Sequence, residues 1–403
     1  MRIVMATETF LPKIDGIVTM ITATVECLRA RGDEVLLFAP AGGPAELYGA
    51  RVIGLPSAPF PFYPELRVAA PRAAMRRHIE EFQPDVVHLF EPSLLGIGGI
   101  YYAQVLHIPL VISYHTNLPA YLRYYRLGFL QNATWKLMQI RHGRADLNLC
   151  TSTPMMEDLA HHNIDRLALW ERAVDADRFH PSRRSDEMRR TLSGGEPRKP
   201  LLLFVGRLCA EKNIGSLRAV LEAIPDLRLA IVGDGPLRGE LEKHFRNTPT
   251  HFPGYLRGEA LAAAFASSDL FVMPSETETL GLVLMEAMAS GCSVVACRAG
   301  GIPDAVDDGV TGFLYEPGIE SGESSLVETV RRVLANPAER DTVRTRARAE
   351  VERHGWLEAT DLLRRQYQQA IDHPRPRTQP TGSPGQRSLA RRTTMAALRR
   401  LLP

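Results

Sequence analysis

Two glutamates flank the start of an apolar run in the stretch "MPSETETLGLVLMEAMASG", residues 273–291. Glu278 precedes Gly281, where the run begins, and Glu286 lies within it. Such carboxylates either keep a surface helix soluble or accept hydrogen bonds from sugar hydroxyls and counter positive charge in a transition state. The amides of Leu280 and Gly281, at the start of the predicted helix, would face a phosphate, because the helix dipole favours an anion there.

Two cations and a glycine follow other apolar runs. Arg207 and Lys212 come after "LLLFV", and two cations beside a helix N-terminus suit a diphosphate. For each of them a solvated surface charge is the alternative. Gly16 precedes the first helical pattern, where a backbone without a Cβ approaches an anion closely or simply makes a βα turn.

Further polar residues end other runs. His115 closes "LVISYHT", where it faces a ligand or remains a core histidine. Gly233, Asp234 and Gly235 close "LAIVGDG", so that a flat ring could lie against the backbone, and Tyr255 follows "HFPG" near the same edge.

Twelve short apolar runs alternate with helical patterns along the chain, and several of them are continuously apolar. Strands buried on both faces look like this, as in parallel sheets covered by helices. The alternation predicts an α/β fold with doubly wound sheets, and twelve strands suit two sheets. The runs are "RIVMATE", "EVLLFAP", "RVIGLP", "DVVHLF", "LVISYHT", "LNLCTS", "LLLFVGRL", "LRLAIVGDG", "THFPGYL", "LFVMPS", "SVVACR" and "TGFLYEP".

A polar, Gly- and Pro-containing stretch at 172–200 separates the two halves. It predicts two Rossmann-like domains that face each other across a cleft, with ligands at the carboxyl ends of the strands. The predicted boundaries are an N-terminal, acceptor- and membrane-facing domain at 1–175 and a nucleotide-sugar-binding domain at 176–354. They continue with a helix packing back on the first domain at 355–371 and a basic, disordered tail at 372–403.

Composition limits the class of protein. The chain has 403 residues, 45% hydrophobic and 23% charged, which is typical of a globular protein of two or three domains. The five cysteines include no CxxC pair, which favours a reducing cytoplasm without disulfides. The start "MRIVMATETF" is too short for a signal-peptide apolar region, and no apolar run is long enough to span a bilayer, so we expect any membrane contact to be peripheral.

The C-terminus is strongly basic. Seven arginines and no acidic residue follow Asp372, which leaves 41 basic against 46 acidic residues in the body. Such asymmetry indicates an interaction tail, and a disordered end without function is the alternative. Residues 388–402, "SLARRTTMAALRRLL", place apolar and basic side chains on opposite helical faces, which would favour an anionic membrane surface.

These blocks resemble the retaining GT-B glycosyltransferases of family GT4, whose mark is E-x7-E, here Glu278 to Glu286. "VGRL" with "EKN", "GDGP" and "RAGGIPD" also stand where that family has them. The longer blocks "LYGARVIGLP", "GGIYYAQVLHIPLVISYHTNLPAYLRYY" and "LWERAVDADRFHP" are similar to the sulfolipid synthase subfamily. Those enzymes transfer sulfoquinovose from UDP-sulfoquinovose to diacylglycerol in cyanobacteria and plastids.

The resemblance implies roles for individual residues. It places Glu278 and His115 near the donor hexose and Glu286 on the ribose hydroxyls. It assigns the diphosphate to Gly16, Arg207 and Lys212, and the nucleotide pocket to Gly233, Asp234 and Gly235. Two departures stand out: Asp15-Gly16 replaces a glycine pair, so Asp15 is expected to face the acceptor, and Leu280 replaces a common phenylalanine.

The reaction implied is hexosyl transfer with retention at the anomeric carbon. Arginine and lysine would do the work of a metal, so no cofactor is expected to be required, and any stimulation by Mg²⁺ would be non-essential. The expected partners are a UDP-sugar, diacylglycerol and an anionic membrane surface, with no nucleic acid, at a cytoplasmic, peripherally membrane-bound location. Alternatives are a lipid glycosyltransferase using UDP-glucose, UDP-galactose or GDP-mannose, a sugar-nucleotide epimerase, and a non-catalytic sugar-nucleotide binder.

A sulfonate stays ionised at physiological pH, so an enclosed one needs a partner. Lys13, before Gly16, is the candidate, with Arg67 a weaker one and a solvated loop charge the alternative. The main membrane face is expected in "LPAYLRYYRLGFLQNATWKLMQIRHGR", residues 118–144, with the tail auxiliary. Its basic residues are Arg123, Arg126, Lys136, Arg141 and Arg144.

Overall fold

The computed structural model describes residues 1–13, 15–60, 63–90, 93–125, 127–319, 321–322 and 325–376. From residue 377 onward, the predicted basic tail and its amphipathic helix lie outside the described residues, as does Arg126.

All twelve predicted runs form strands, which confirms the apolar pattern as the signal for them. Four more strands are short or form a hairpin. The strands are β1 Arg2–Ala6, β2 Glu34–Pro40, β3 Glu46–Leu47, β4 Ala50–Leu55, β5 Ser57–Phe60, β6 Tyr63–Ala69, β7 Val86–Leu89, β8 Leu110–Tyr114, β9 Leu147–Cys150, β10 Leu167–Leu169, β11 Leu201–Val205, β12 Arg228–Val232, β13 Thr250–Gly254, β14 Leu270–Met273, β15 Ser293–Cys297 and β16 Phe313–Tyr315.

Most of the helices lie between the strands, as the alternation of apolar runs and helical patterns predicts. They are α1 Gly16–Ala30, α2 Ala73–Phe82, α3 Leu94–Val105, α4 Leu118–Tyr124, α5 Gln131–His142, α6 Thr153–His161, α7 Asp186–Leu192, α8 Leu217–Ala223, α9 Arg238–His244, α10 Gly258–Ala266, α11 Leu282–Ala289, α12 Ile302–Ala305, α13 Leu326–Ala335, α14 Pro337–Val351 and α15 Trp356–Asp372. No described helix is long and apolar enough to cross a bilayer.

One sheet has six strands in the order β13-β12-β11-β14-β15-β16, and every neighbouring pair is parallel. Strands β11, β14 and β15 are buried along their whole length because helices cover both faces, which explains why they carry almost no polar residue. The order reverses direction between β11 and β14, so the loops after these strands diverge and leave room for a ligand.

The other sheet has eight strands in the order β10-β9-β8-β7-β1-β2-β4-β3. Its central pairs, β7 with β1 and β1 with β2, are parallel, whereas the short edge strand β3 pairs antiparallel with β4. The two parallel sheets with helices between their strands confirm the predicted doubly wound α/β class.

The chain divides into two compact units. Among the described residues, unit 1 comprises 1–113, 140–148 and 366–376, and unit 2 comprises 114–139 and 149–365. Within unit 1, Tyr367 of α15 is fully buried, and its hydroxyl lies 2.7 Å from Nδ1 of His88. All five cysteines are buried and free.

Candidate active site

The loop between β14 and α11 carries the two glutamates in unit 2. Gly281 caps α11 with φ of +68°, a conformation that favours glycine, and a Cβ there would lie 2.7 Å from Leu284. The glycine therefore allows the chain to turn sharply into the helix, and Leu280 precedes it as a half-buried residue.

Two glycines of the "RAGGIPD" block support this loop. Gly300 has φ of +56°, and a Cβ there would lie 2.4 Å from the carbonyl oxygen of Glu278. The amide of Gly301 donates to the same oxygen at 2.7 Å, and a Cβ at Gly301 would meet the carbonyl oxygen of Thr279 at 2.3 Å. The backbone of the glutamate loop is thus held by close contact that only glycine permits.

Lys212 and Glu278 form an ion pair between Nζ and Oε1. Their side chains are 20% and 13% exposed. Burial by itself would lower the pKa of Lys212, but the charge and hydrogen bond of Glu278 outweigh it and raise that pKa. Lys212 is therefore firmly cationic, and the structure brings together two of the residues that sequence alone placed at one site.

Glu286 lies one helical turn into α11 and is half-buried. Desolvation raises the pKa of its carboxyl to about 8, and the nearby charge of Arg178 only partly opposes that effect. At neutral pH this carboxyl is therefore largely protonated, unlike an ordinary surface glutamate.

The loops after β11 and β12 pack backbone to backbone. A Cβ at Gly233 would lie 1.9 Å from the carbonyl oxygen of Gly206, and one at Gly235 would lie 2.5 Å from that of Leu208. These contacts hold the backbone beside Arg207, whose residue is half-buried. The close packing of these two loops therefore requires glycine at positions 233 and 235, independently of any ligand.

Two predicted contact residues, in the loops after β12 and β13, are open to solvent. Asp234 is exposed, with Arg238 3.7 Å from its carboxylate. Tyr255 is 45% exposed, and the guanidinium of Arg257 lies 5.0 Å from its ring centroid. Both residues remain predicted ligand contacts.

His115 lies just after β8, in the part of that segment that belongs to unit 2. It is 7% exposed, its ring meets Trp170 edge-on at 5.5 Å, and burial lowers its pKa to about 3. Its imidazole is therefore neutral. Its carbonyl oxygen accepts a hydrogen bond from Oγ1 of Thr279 at 2.6 Å, which ties it to the glutamate loop.

Gly16 and Lys13 belong to unit 1. Gly16 is the exposed first residue of α1, and Asp15 is its N-cap, with a carboxylate that accepts from the amide of Val18 at 3.0 Å. The same carboxylate pairs with Nζ of Lys13 at 2.9 Å. The Asp15 side chain thus caps α1 and pairs with Lys13, and its position facing the acceptor stays a prediction. Arg67 is exposed and donates to Ser57 within the β5–β6 hairpin.

Sequence reasoning missed the residues that support the loop. Thr279 bonds to His115, and its own carbonyl oxygen accepts from Oγ1 of Thr151 at 3.1 Å. Gly300 and Gly301 were noted only as part of a family block. Their signal was the Gly-Gly pair in the loop that follows β15, near a strand's carboxyl end, where a close backbone approach is common.

Among the described residues, no group of three or more His, Cys, Asp or Glu side chains is placed to hold a metal ion. The carboxylate nearest to a cation in the glutamate loop, Glu278, is engaged by Lys212. Whether a metal is needed stays a prediction.

Comparison with protein families places both halves of the chain. Residues 14–178 match the family model described as Glycosyltransferase Family 4, and residues 189–350 match the model described as Glycosyl transferases group 1. The second match contains Arg207, Lys212, Glu278 and Glu286.

Two curated relatives are similar over most of their length. The chain is 41% identical to a sulfoquinovosyl transferase, SQD2, of Arabidopsis thaliana, over 86% of this chain and 69% of the relative. It is 39% identical to a GDP-mannose-dependent alpha-mannosyltransferase of Mycolicibacterium smegmatis, over 92% of this chain and 98% of the relative.

Solved structures share the fold. The HepE protein of Anabaena, in complex with UDP-glucose, superposes with a TM-score of 0.73 at 19% identity, covering 91% of this chain and 99% of that one. Sucrose-phosphate synthase of Thermosynechococcus elongatus superposes with a TM-score of 0.75 at 21% identity, covering 92% and 99%. At such identities the likeness concerns the fold.

Proposed function

Because the chain belongs to the GT4 family of glycosyltransferases and has the GT-B fold, we propose that it transfers sulfoquinovose from UDP-sulfoquinovose to diacylglycerol. The transfer retains the configuration of the anomeric carbon. The donor and the acceptor are the parts of the proposal that go beyond membership of the family.

The Lys212–Glu278 pair carries the proposal of glycosyl transfer. A cation that binds a leaving diphosphate must lie next to the group that faces the sugar, because the bond that breaks joins the two. Lys212 and Glu278 are in direct contact, and Gly300 and Gly301 hold the loop that carries Glu278. The 41% identity to a sulfoquinovosyl transferase supports the choice of donor.

In the proposed reaction the bond between the anomeric carbon and the diphosphate oxygen breaks, and the diacylglycerol hydroxyl oxygen bonds to the same face of that carbon. The hydroxyl proton passes to the leaving phosphate oxygen. Arg207, Lys212 and the N-terminus of α11 stabilise the negative charge that develops on the diphosphate.

The two glutamates then have different tasks. Glu278 faces the hexose and counters positive charge at the anomeric carbon, while Glu286 accepts hydrogen bonds from the ribose. His115 is neutral, so it contributes a hydrogen bond to the hexose rather than a charge. A retaining glycosidase would need two carboxyl groups about 5 Å apart around one bond, whereas these two serve different parts of one donor.

A second candidate is mannosyl transfer from GDP-mannose. It is favoured by the 39% identity to a mycobacterial mannosyltransferase, which extends over 98% of that relative. UDP-glucose and UDP-galactose are further donors within the same chemistry. Epimerisation is less favoured, because no base for proton abstraction at the sugar C2 is identified in the sequence.

The proposed acceptor implies a lipid surface. The described part of residues 118–139, called the apolar segment below, exposes six large apolar side chains, and Phe129 is 78% exposed. Lys136 is exposed beside them, so the segment combines apolar contact with attraction to anionic lipid. The six are Leu118, Tyr125, Leu127, Phe129, Leu130 and Leu137. The C-terminal tail is proposed to assist.

No metal or other cofactor is proposed to be required. Arg207 and Lys212 supply the positive charge for the diphosphate, and Mg²⁺ would at most stimulate turnover. The enzyme is proposed to work at the cytoplasmic face of a membrane, bound peripherally.

Nucleotide release tests the proposal. The full chain is incubated with UDP-sulfoquinovose, UDP-glucose, UDP-galactose or GDP-mannose, each with and without diacylglycerol vesicles. UDP release that requires both UDP-sulfoquinovose and diacylglycerol supports the proposal. GDP release supports the second candidate, and Glu278→Gln serves as the control for enzyme-dependent release.

A further inference from the structure

The apolar segment is hydrogen-bonded to the loop that follows β11. The hydroxyl of Tyr125 donates to Oε2 of Glu211 at 3.1 Å, and both residues belong to unit 2. Tyr125 is itself 43% exposed, whereas Glu211 is only 3% exposed. Tyr125 is therefore partly exposed at the surface, while its hydroxyl contacts the buried carboxylate of Glu211.

Glu211 is firmly attached to the candidate active site. It lies in the 3-10 turn Ala210–Lys212, directly before Lys212, which pairs with Glu278. Its carbonyl oxygen accepts from Oγ of Ser275 at 3.2 Å, in the loop that carries Glu278. Displacing Glu211 would thus displace the lysine and disturb the glutamate loop.

Electrostatics give the tyrosine a further effect. Glu278 and, to a smaller extent, Glu211 both raise the pKa of Lys212, so the buried Glu211 carboxylate is part of the charge balance around that lysine. The hydroxyl of Tyr125 donates a charge-assisted hydrogen bond to Glu211, while Lys212 pairs with Glu278. Burial and the nearby Glu211 raise the pKa of Tyr125, so its hydroxyl stays a donor at all physiological pH values.

We propose that Tyr125 is a positioning residue that couples contact of the apolar segment with a lipid surface to the order of the Arg207–Lys212 loop. This inference rests on the membrane part of the proposed function but not on the identity of the donor. The lipid surface binds the apolar segment more tightly when the Tyr125 hydroxyl is bonded to Glu211. Binding to the surface therefore shifts the Arg207–Lys212 loop toward its ordered state. The donor loop is then best organised where the acceptor is present.

Amide hydrogen exchange tests the coupling without any nucleotide. The full chain is measured with and without vesicles of phosphatidylglycerol and phosphatidylcholine in equal parts, and exchange is followed in peptides covering 118–139 and 207–216. In the unmutated protein we expect vesicles to slow exchange in both peptides, by about tenfold in 207–216, the scale of one charge-assisted hydrogen bond. In Tyr125→Phe we expect the slowing to persist in 118–139 and to vanish in 207–216.

Tyr101→Phe, at an exposed tyrosine on α3, is the matched control and should behave as the unmutated protein. A merely structural role of Tyr125 would change exchange in 207–216 without vesicles and leave the vesicle effect in place. The coupling would be overturned if vesicles still slowed exchange in 207–216 of Tyr125→Phe. It would also be overturned if vesicles protected neither peptide in the unmutated protein. Because no donor is present, none of these outcomes depends on which sugar is transferred.

Discussion

Lys212 and Glu278 form an ion pair whose two side chains are mostly buried, and the pair joins the loops after β11 and β14. A diphosphate would compete with Glu278 for the lysine, since both are anions at the same ammonium group. Lys212 therefore links donor binding to Glu278. For this reason we expect substitutions of Glu278 and of Lys212 to affect UDP affinity differently.

Glu278→Gln is expected to lower turnover by at least about a hundredfold, because charge at the anomeric carbon is no longer countered. UDP affinity should stay the same or rise, because Lys212 loses its competing partner. Isothermal titration with UDP and a turnover assay on the same preparation measure both. Unchanged turnover would exclude Glu278 from the reaction.

Lys212→Met is expected to weaken UDP binding by at least about tenfold and to lower stability, since it leaves the buried Glu278 carboxylate unpaired. The double substitution with Glu278→Gln should recover the lost stability but not the binding. Thermal melts of all four proteins check this. If the two single effects on stability simply add, the ion pair does not form in solution.

Glu286→Gln is expected to weaken UDP binding and to stabilise the free protein. The carboxyl pKa of about 8 exceeds the unfolded value of 4.5, so the folded state holds the extra proton between these values, and stability falls as pH rises from 4.5 to 8. Glutamine removes that loss, so Tm should rise by roughly 2 °C at pH 8 and by less at pH 5.

The ionisation of Glu286 should also change the affinity for UDP, in the direction opposite to its effect on stability. Ribose hydroxyls donate to the ionised carboxylate, so UDP should bind more tightly as pH rises toward 8, and the pH dependence should be absent in Glu286→Gln. Titration at several pH values measures it. An identical slope in both proteins would exclude Glu286 from the ribose site.

Gly300→Ala is expected to abolish most turnover, because its Cβ would lie 2.4 Å from the carbonyl oxygen of Glu278 and displace that loop. A displacement of about 1 Å at reacting groups costs on the order of a hundredfold. Gly309→Ala is the matched control, since Gly309 also has positive φ, +73°, but has open space around it. Equal loss of turnover in the two variants would attribute the effect to backbone strain alone.

The strands were predictable because burial on both faces leaves a signal in composition. Each of the twelve apolar runs, including "LFVMPS" and "SVVACR", forms a strand. The short strands β3 and β10 and the hairpin β5–β6 were not predicted, since two or three residues are too few to form a pattern and a proline interrupts each strand of the hairpin. Local pattern does not encode which loop a residue meets after folding.

The same distinction holds for the site. The positions of Glu278 and Lys212 at strand ends followed from the order of strands, but their direct contact did not, because 65 residues separate them in sequence. The cap formed by Asp15 on α1 is a local feature that the "DG" spacing before the helix could have indicated. The family pattern of two glycines at positions 15 and 16 instead indicated a diphosphate contact.

Lys13→Ala tests how the sulfonate is recognised. If Lys13 contacts it, the ratio of kcat/KM for UDP-sulfoquinovose over UDP-glucose should fall roughly thirtyfold, the scale of one charge-assisted contact of about 2 kcal/mol. Arg67→Ala is the control and should leave the ratio unchanged. An equal loss for both donors in Lys13→Ala would exclude Lys13, and a changed ratio in Arg67→Ala would assign the role to the hairpin.

Donor identity is tested most directly by competition. The full chain is incubated with vesicles containing diacylglycerol and with equal concentrations of UDP-sulfoquinovose and GDP-mannose, and the lipid products are identified by mass spectrometry. The amounts of the two products report the ratio of kcat/KM values for the two donors. We expect sulfoquinovosyl diacylglycerol to exceed any mannosylated lipid by at least about tenfold. Mannosylated lipid as the main product would contradict the proposed function.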